Sequence, residues 1–148
     1  MEAVIFIGLQ ASGKSSFYRD RFLNSHIRLN LDMLKTRYRE KLLFDACLEA
    51  KQSMVIDNTN PTKLDREKYI LPAQKHRFKI TGYYFRSNVT ECQQRNSQRD
   101  AKSRVPTVGI FATAKKLQLP TYDEGFNKLY YVKIANNTFV VEQWQDVL

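Results

Sequence analysis

Ala3-Val4-Ile5-Phe6-Ile7-Gly8-Leu9-Gln10-Ala11-Ser12-Gly13-Lys14-Ser15 decides the fold: an apolar run passes directly into the pattern G-x-x-x-x-G-K-[ST]. The run is β-branched and aromatic without polar alternation, which reads as a buried parallel strand. Residues 14–22 carry an apolar face at Phe17, Tyr18 and Phe22 and read as a helix. Strand, glycine-bent loop and helix together form a phosphate cradle. Backbone N–H groups from Gln10 to Ser15 curl around a β-phosphate, and the helix N-terminus faces the same anion. Gly8 and Gly13 allow the bend, Lys14 reaches the β- and γ-phosphoryl oxygens, and the Ser15 hydroxyl is placed for the bridging Mg²⁺. Gly8, Gln10, Ala11, Ser12, Gly13, Lys14, Ser15 and Ser16 are therefore candidate contacts of ATP or GTP. The competing reading is an ordinary glycine turn between a strand and a helix.

Outward from the loop, strands and helices alternate. Residues 26–31 read as a second strand, ending before Asp32, and a helix follows from Met33 to about Lys51 with apolar positions at 34, 38, 42, 43 and 46. Ser53 to Asp57 is a strand ending in an acid. Asn60-Pro61 opens a helix running to about Arg77, which Pro72 should kink. Lys79 to Phe85 is a strand, and Asn88-Val89-Thr90-Glu91 forms a capping box for a helix reaching about Asp100. Residues 101–106 are polar and basic, a short helix lies near 110–117, and residues 128–134 and 138–142 form a hairpin through Asn136-Asn137. The expected fold is α/β: a P-loop NTPase with a central parallel sheet flanked by helices and a short basic lid at about residues 95–106.

A chain of 148 residues is expected to form one domain, residues 1–148. Cys47 and Cys92 read as buried free thiols, no signal peptide is evident, and no run approaches membrane-spanning length, so the expectation is a cytoplasmic protein. Net charge is +9, and residues 61–106 hold 11 Lys/Arg against 4 Asp/Glu. That asymmetry points to a polyanionic partner, either nucleotide phosphates alone or a nucleic-acid strand as well. A solvated basic surface is the alternative.

Three further constellations fall where a doubly wound sheet gathers the carboxyl ends of its strands. Asp32 follows the second strand and is a candidate general base opposite the γ-phosphate, or else a helix N-cap. Asp57, at the end of an apolar strand, is a candidate Mg²⁺ partner, and Asp57-Asn58-Thr59-Asn60 is otherwise a polar turn. Arg95 and Arg99 share a helix face at i, i+4 and are candidates to close over the phosphates, or else form a solvated helix end.

With these pieces in place the chain resembles the P-loop kinase domain of the 5′-hydroxyl polynucleotide kinase family. The resemblance rests on the P-loop, Asn30-Leu31-Asp32-Met33-Leu34-Lys35, Val55-Ile56-Asp57-Asn58-Thr59-Asn60-Pro61, Arg95-Asn96-Ser97-Gln98-Arg99, Leu119-Pro120-Thr121 and Glu124-Gly125-Phe126. It implies Asp32 as the general base, Lys14 and Ser15 as the phosphate and Mg²⁺ ligands, and Arg99, with Arg95, as lid arginines. Asp32, Lys35, Asn58 and Asn60 are candidate acceptor contacts. Family members often carry Pro-Gly where this loop has Gln10-Ala11, and an arginine where this chain has Lys35. The loop is also similar to small stand-alone bacterial proteins described as kinases or AAA-type ATP-binding proteins. No Asp-x-Asp phosphatase motif is present.

The resulting expectation is an ATP-dependent kinase whose acceptor is the 5′-hydroxyl end of single-stranded RNA or DNA, with ATP and Mg²⁺ as cofactors and no membrane partner. Arg37, Lys63, Arg66 and Lys102 are candidates for a strand track, and Tyr38 or Tyr122 for base stacking. Two alternatives stay open: a kinase of a small hydroxyl-bearing metabolite or nucleoside, and an ATP-binding regulatory ATPase without an acceptor.

Overall fold

The apolar run becomes the middle of the sheet: β1 (Glu2–Ile7) is buried from Ala3 to Ile7. In the computed structural model, which describes residues 1–145, β3 (Met54–Ile56) pairs with β1 on one side and β4 (Lys79–Phe85) on the other, both parallel. β2 (Ile27–Leu29) adds beyond β3 and β5 (Lys128–Ala135) beyond β4, again parallel. β6 (Thr138–Gln143) closes the edge antiparallel to β5, giving the order β2-β3-β1-β4-β5-β6. Asn136 and Asn137 make its turn with φ of 53° and 59°, the left-handed region that asparagine tolerates. The expected mainly parallel sheet is thus observed. Residues 146–148, the end of the expected domain, lie outside the described residues.

Because side chains alternate along β1, its two faces build two cores. Ala3, Ile5 and Ile7 pack with Leu29, Met54, Ile56, Phe44, Leu48, Tyr69 and Ile70, beneath α3 (Arg37–Ala50) and α4 (Lys63–Lys75). Val4 and Phe6 face Phe17, Tyr18 and Phe22, which belong to α1 (Lys14–Arg21) and its cap. Phe6 meets Phe17 edge-on at a ring-centroid distance of 5.8 Å and Phe85 at 5.0 Å. A third cluster, Leu9, Cys92 and Ile110, supports the P-loop from α5 (Val89–Ser97) and α6 (Thr107–Lys116).

Two helical expectations need correction. The helix expected from Met33 to Lys51 is two helices, α2 (Leu31–Leu34) and α3. Lys35 adopts φ 75°, and the Thr36 hydroxyl then accepts the Arg39 N–H at 3.1 Å as a fresh N-cap. The buried stripe of α3 is also out of phase with the expected one. Glu40, Phe44, Cys47 and Leu48 face inward, whereas Leu42 and Leu43 are exposed and Tyr38 is 72% exposed. The inward position was hidden because a carboxylate, Glu40, occupies it. Second, α5 stops at Ser97, so Arg99 lies beyond the helix and does not share a helical face with Arg95. α4 runs through Pro72 to Lys75 without a break. Among the described residues, no helix is long and apolar enough to cross a membrane.

Candidate active site

The winding of the sheet reverses at β1, and Gly8 to Lys14 leave it at that point. Gly8 is packed too tightly for a side chain: a Cβ there would lie 2.9 Å from Ser12 Oγ and 3.0 Å from Phe85 Cβ, and its N–H donates to Thr59 O at 3.0 Å. Gly13 has φ 102° and caps α1. Ala11 is also left-handed, at φ 62°, which is a glycine's conformation borne by an alanine. The loop is braced from outside. Gln10 Nε2 donates to Thr113 Oγ1 at 3.0 Å, Leu9 N–H to Ser87 Oγ at 3.1 Å, and Arg95 Nη1 to Ala11 O at 3.1 Å. Arg95 therefore supports the loop and is not among the residues lining the cleft. Ser16 is exposed and its hydroxyl accepts from Arg19.

Lys14 is folded back into this loop. Its Nζ donates to Leu9 O at 2.7 Å and Gly8 O at 3.1 Å, with Ser12 Oγ at 3.5 Å. Burial pushes its ammonium down to about 8, opposed by the Asp57 charge. The lysine is thus poised to regain full charge when an anion enters.

Facing the loop is a cleft of about 360 Å³ lined by Gln10, Ala11, Lys14, Ser15, Asn30, Asp32, Arg37, Asp57, Asn58, Asn60, Arg99 and Lys116, among others. Asp32 opens onto it from the first turn of α2, whose N-cap is Asn30 and not Asp32: Asn30 Oδ1 accepts the Met33 N–H at 3.0 Å. Asn30 Nδ2 donates to Asp57 O at 2.6 Å, so one side chain ties the Asp32 turn to the end of β3. Asn58 makes a second tie. Its Oδ1 accepts the Leu31 N–H at 3.0 Å and its Nδ2 donates to Glu40 Oε2 at 2.9 Å. Glu40 is buried, and its other oxygen accepts from Tyr69 Oη at 2.5 Å and Arg37 Nη1 at 3.2 Å. Burial and the Glu40 bond hold the Tyr69 phenol well above its ordinary value. Asn60, expected to touch an acceptor, uses its amide to donate to Phe6 O at 2.8 Å, and its φ of 45° makes it a structural corner.

The basic side of the cleft also departs from expectation. Lys35 is exposed and does not line it, but Arg37 does, as do Arg99 and Lys116, the last unforeseen. The expected lid, residues 95–106, holds Arg99 in a loop closed by Asn96, whose amide both donates to Val105 O at 2.6 Å and accepts the Val105 N–H at 2.9 Å. Arg66, placed on a strand track from sequence, is 0% exposed. It forms a two-point pair with Glu124, Nε to Oε1 at 2.7 Å and Nη2 to Oε2 at 3.1 Å, and caps Asn60 O with Nη1 at 2.9 Å. Tyr122 is packed against the core, so it does not present a free ring for stacking. Lys63 and Lys102 are exposed.

The donor set at the loop fits a divalent cation bound with a nucleotide. Ser15 Oγ donates to Asp57 Oδ2 at 3.1 Å, and Asp57 Oδ1 is buried with no partner among the described residues. Two protein oxygens with the remainder from phosphate and water is the arrangement Mg²⁺ favours. No group of three His, Cys, Asp or Glu that could hold a metal occurs among the described residues. Sequence reading missed Arg28, whose guanidinium bridges this pair (Nε to Asp57 Oδ2 at 2.7 Å, Nη2 to Ser15 Oγ at 2.9 Å). The only signal was a charged residue inside a short apolar strand.

Loop, switch-point strand and opposed acids define a P-loop nucleotide-binding protein of the kinase type, a fold that binds ATP. Comparison with known proteins agrees. The chain belongs to the AAA domain family, whose model matches residues 4–120. It is 29% identical over 132 residues to a bifunctional polynucleotide phosphatase/kinase of Schizosaccharomyces pombe, an alignment covering 86% of this chain and 32% of that protein. The chain thus spans about a third of that relative's length. Among solved structures, Chaetomium thermophilum Kti12 in complex with ADP-AlF3 aligns with a TM-score of 0.67 at 13% identity, covering 88% of each chain. A gluconokinase from Sinorhizobium meliloti 1021 aligns with a TM-score of 0.63 at 14% identity, covering 91% of this chain and 83% of that one. At such identities the likeness is one of fold.

Proposed function

We propose that this chain is an ATP-dependent, Mg²⁺-requiring kinase that phosphorylates the 5′-hydroxyl of a nucleic-acid strand, with residues 1–148 forming one domain that works in the cytoplasm. The observation that carries the reading is the cleft itself: Asp32 and Lys14 line one cleft, and Arg37, Arg99 and Lys116 line it with them. Of the three carboxylates on the cleft, Asp57 is paired with Arg28 and Asp65 is engaged with Thr62 at the N-cap of α4, so the exposed Asp32 is the one that suits a base releasing its proton after each turnover. The relationship to a polynucleotide phosphatase/kinase supports the strand acceptor, and the excess of Lys/Arg in residues 61–106 supports a polyanion. Two buried free cysteines fit a reducing compartment.

In this mechanism the loop amides and Lys14 hold the β- and γ-phosphates. Asp32 accepts the proton of the incoming hydroxyl as its oxygen forms a bond to the γ-phosphorus. The bond from that phosphorus to the β,γ-bridging oxygen breaks, and ADP leaves with the electron pair. Lys14 and Arg99 meet the charge that develops on the leaving group. Bound Mg²⁺, held by Ser15 and Asp57, supplies further neutralisation of the phosphates.

The test is incubation with γ-labelled ATP, Mg²⁺ and a panel of 5′-hydroxyl oligonucleotides, nucleosides and sugars. Label on oligonucleotides, with binding that weakens steeply from 50 to 200 mM salt, supports the proposal. Label on a small metabolite alone, or ATP hydrolysis with no labelled acceptor, contradicts it.

A further inference from the structure

Arg28 stands where a cation is expected. It projects from edge strand β2 opposite Val55, two residues before Asp57. Its Nε lies 2.7 Å from Asp57 Oδ2 and its Nη2 2.9 Å from Ser15 Oγ, and the two oxygens are 3.1 Å apart. Three groups therefore close a triangle in which the guanidinium spans the pair assigned to the metal. The members differ in freedom: the Asp57 side chain is 1% exposed, that of Arg28 26%. The arginine is the one able to leave. Its guanidinium also lies over the Tyr18 ring, 5.9 Å from the centroid, and that ring is fixed through its own hydroxyl, which donates to His26 O at 2.6 Å.

We infer that Arg28 is an internal counter-cation that occupies the Ser15–Asp57 site in the nucleotide-free protein and is displaced by the divalent cation arriving with ATP. The physical reason is charge. Without a cation on these oxygens, Asp57 would be a buried carboxylate with no ion-pair partner, Lys14 acting on it only at longer range, which is strongly unfavourable. A guanidinium supplies that charge in two-point geometry a lysine cannot reproduce. Once a doubly charged ion reaches the same oxygens, two cations compete for them at close range, and the protein surrenders the weaker one. The cost is a metal affinity below what the two oxygens alone would give. Arg28 thereby sets the metal concentration at which the loop becomes loaded.

The inference rests on the assignment of Ser15 and Asp57 to the metal, so the experiment separates the two. Mn²⁺ is titrated by electron paramagnetic resonance into protein saturated with β,γ-imido-ATP, using wild type, Arg28→Gln, Arg28→Lys and Asp57→Asn. Arg28→Gln is expected to bind Mn²⁺ about tenfold more tightly than wild type, the scale of a typical coupling between sites. Arg28→Lys should move the same way by less, and Asp57→Asn should bind more weakly. Metal-free Arg28→Gln should also melt at a lower temperature than wild type, and regain more on adding Mg²⁺ and analogue. Should Arg28→Gln fail to fold, Arg28→Lys carries the test, because any tightening supports displacement. Unchanged or weaker Mn²⁺ binding in the Arg28 variants, with binding lost in Asp57→Asn, overturns the inference and leaves Arg28 as a brace for the acid. Wild-type affinity in Asp57→Asn overturns the metal assignment itself.

Discussion

ATP binding should draw a proton from solvent in mildly alkaline solution, and Lys14 should be its destination. Buried against the carbonyls of Gly8 and Leu9, Lys14 titrates at about 8, below the ordinary 10.5 of a lysine. Phosphate oxygens replacing those carbonyls favour the charged form and restore the higher value. With a pKa of about 8, about nine-tenths of Lys14 is charged at pH 7 and about one-tenth at pH 9. ATP affinity should therefore fall about tenfold over that interval, or about 1.4 kcal/mol. ATP's terminal phosphate has already lost its last proton by pH 8, so it does not mask the effect. Burial pushes the nearby Cys92 thiol upward. The same shift acts on stability. Between pH 8 and about 10.5 the unfolded chain binds more protons at Lys14 than the nucleotide-free native protein, so native stability rises through that window. Isothermal titration calorimetry at pH 8.5 in two buffers of unlike ionisation enthalpy should report uptake of about three-quarters of a proton per ATP. Lys14→Met should bind weakly with no uptake. Identical heats in both buffers, or an affinity flat from pH 7 to 9, would refute the reasoning.

Three other outcomes follow from particular contacts. Glu124→Ala leaves the Arg66 guanidinium buried without its partner, and urea titration should show a loss of about 3–5 kcal/mol; a loss near zero means the pair is not buried as described. Ala11→Gly relieves a left-handed alanine and should raise stability by about 1 kcal/mol, read as a higher melting temperature; a lower one shows that the methyl packing outweighs the backbone strain. Glu40→Ala removes the carboxylate that holds Asn58, Arg37 and Tyr69. Phosphoryl transfer should drop about tenfold or more with the ATP Kd unchanged, and a loss confined to ATP binding argues against a role in placing Asp32.

The P-loop was legible because its information is local. Gly8, Gly13, Lys14 and Ser15 sit at fixed spacing behind a strand that is apolar throughout, so one window of sequence holds both the geometry and its context. Asp57 was legible for the same reason, as an acid at a strand end. Most of the failures are tertiary. Arg66 read as a surface residue and Glu40 was passed over because burial of a charge is decided by partners 18 or more positions away: Glu124 for one, Asn58 and Tyr69 for the other. The break at Lys35 required recognising Thr36 as a helix N-cap, a signal masked by apolar residues that keep a helical period across it. Arg28 meets Ser15 and Asp57, and Lys116 reaches the cleft, through sheet order and helix placement, which spacing along the chain does not encode. Arg99 came to the cleft as expected, but on a loop closed by Asn96, not on the helix.

In the proposed reaction Asp32 activates a strand's terminal hydroxyl toward ATP held in the loop. The most direct measurement is single-turnover transfer of label from γ-labelled ATP to a 5′-hydroxyl oligonucleotide by wild type and Asp32→Asn, with ATP affinity measured on the same samples. A base acting on the chemical step predicts a transfer rate lower by about 10²–10⁴-fold in the variant, with ATP binding preserved. Transfer at the wild-type rate by Asp32→Asn contradicts the account.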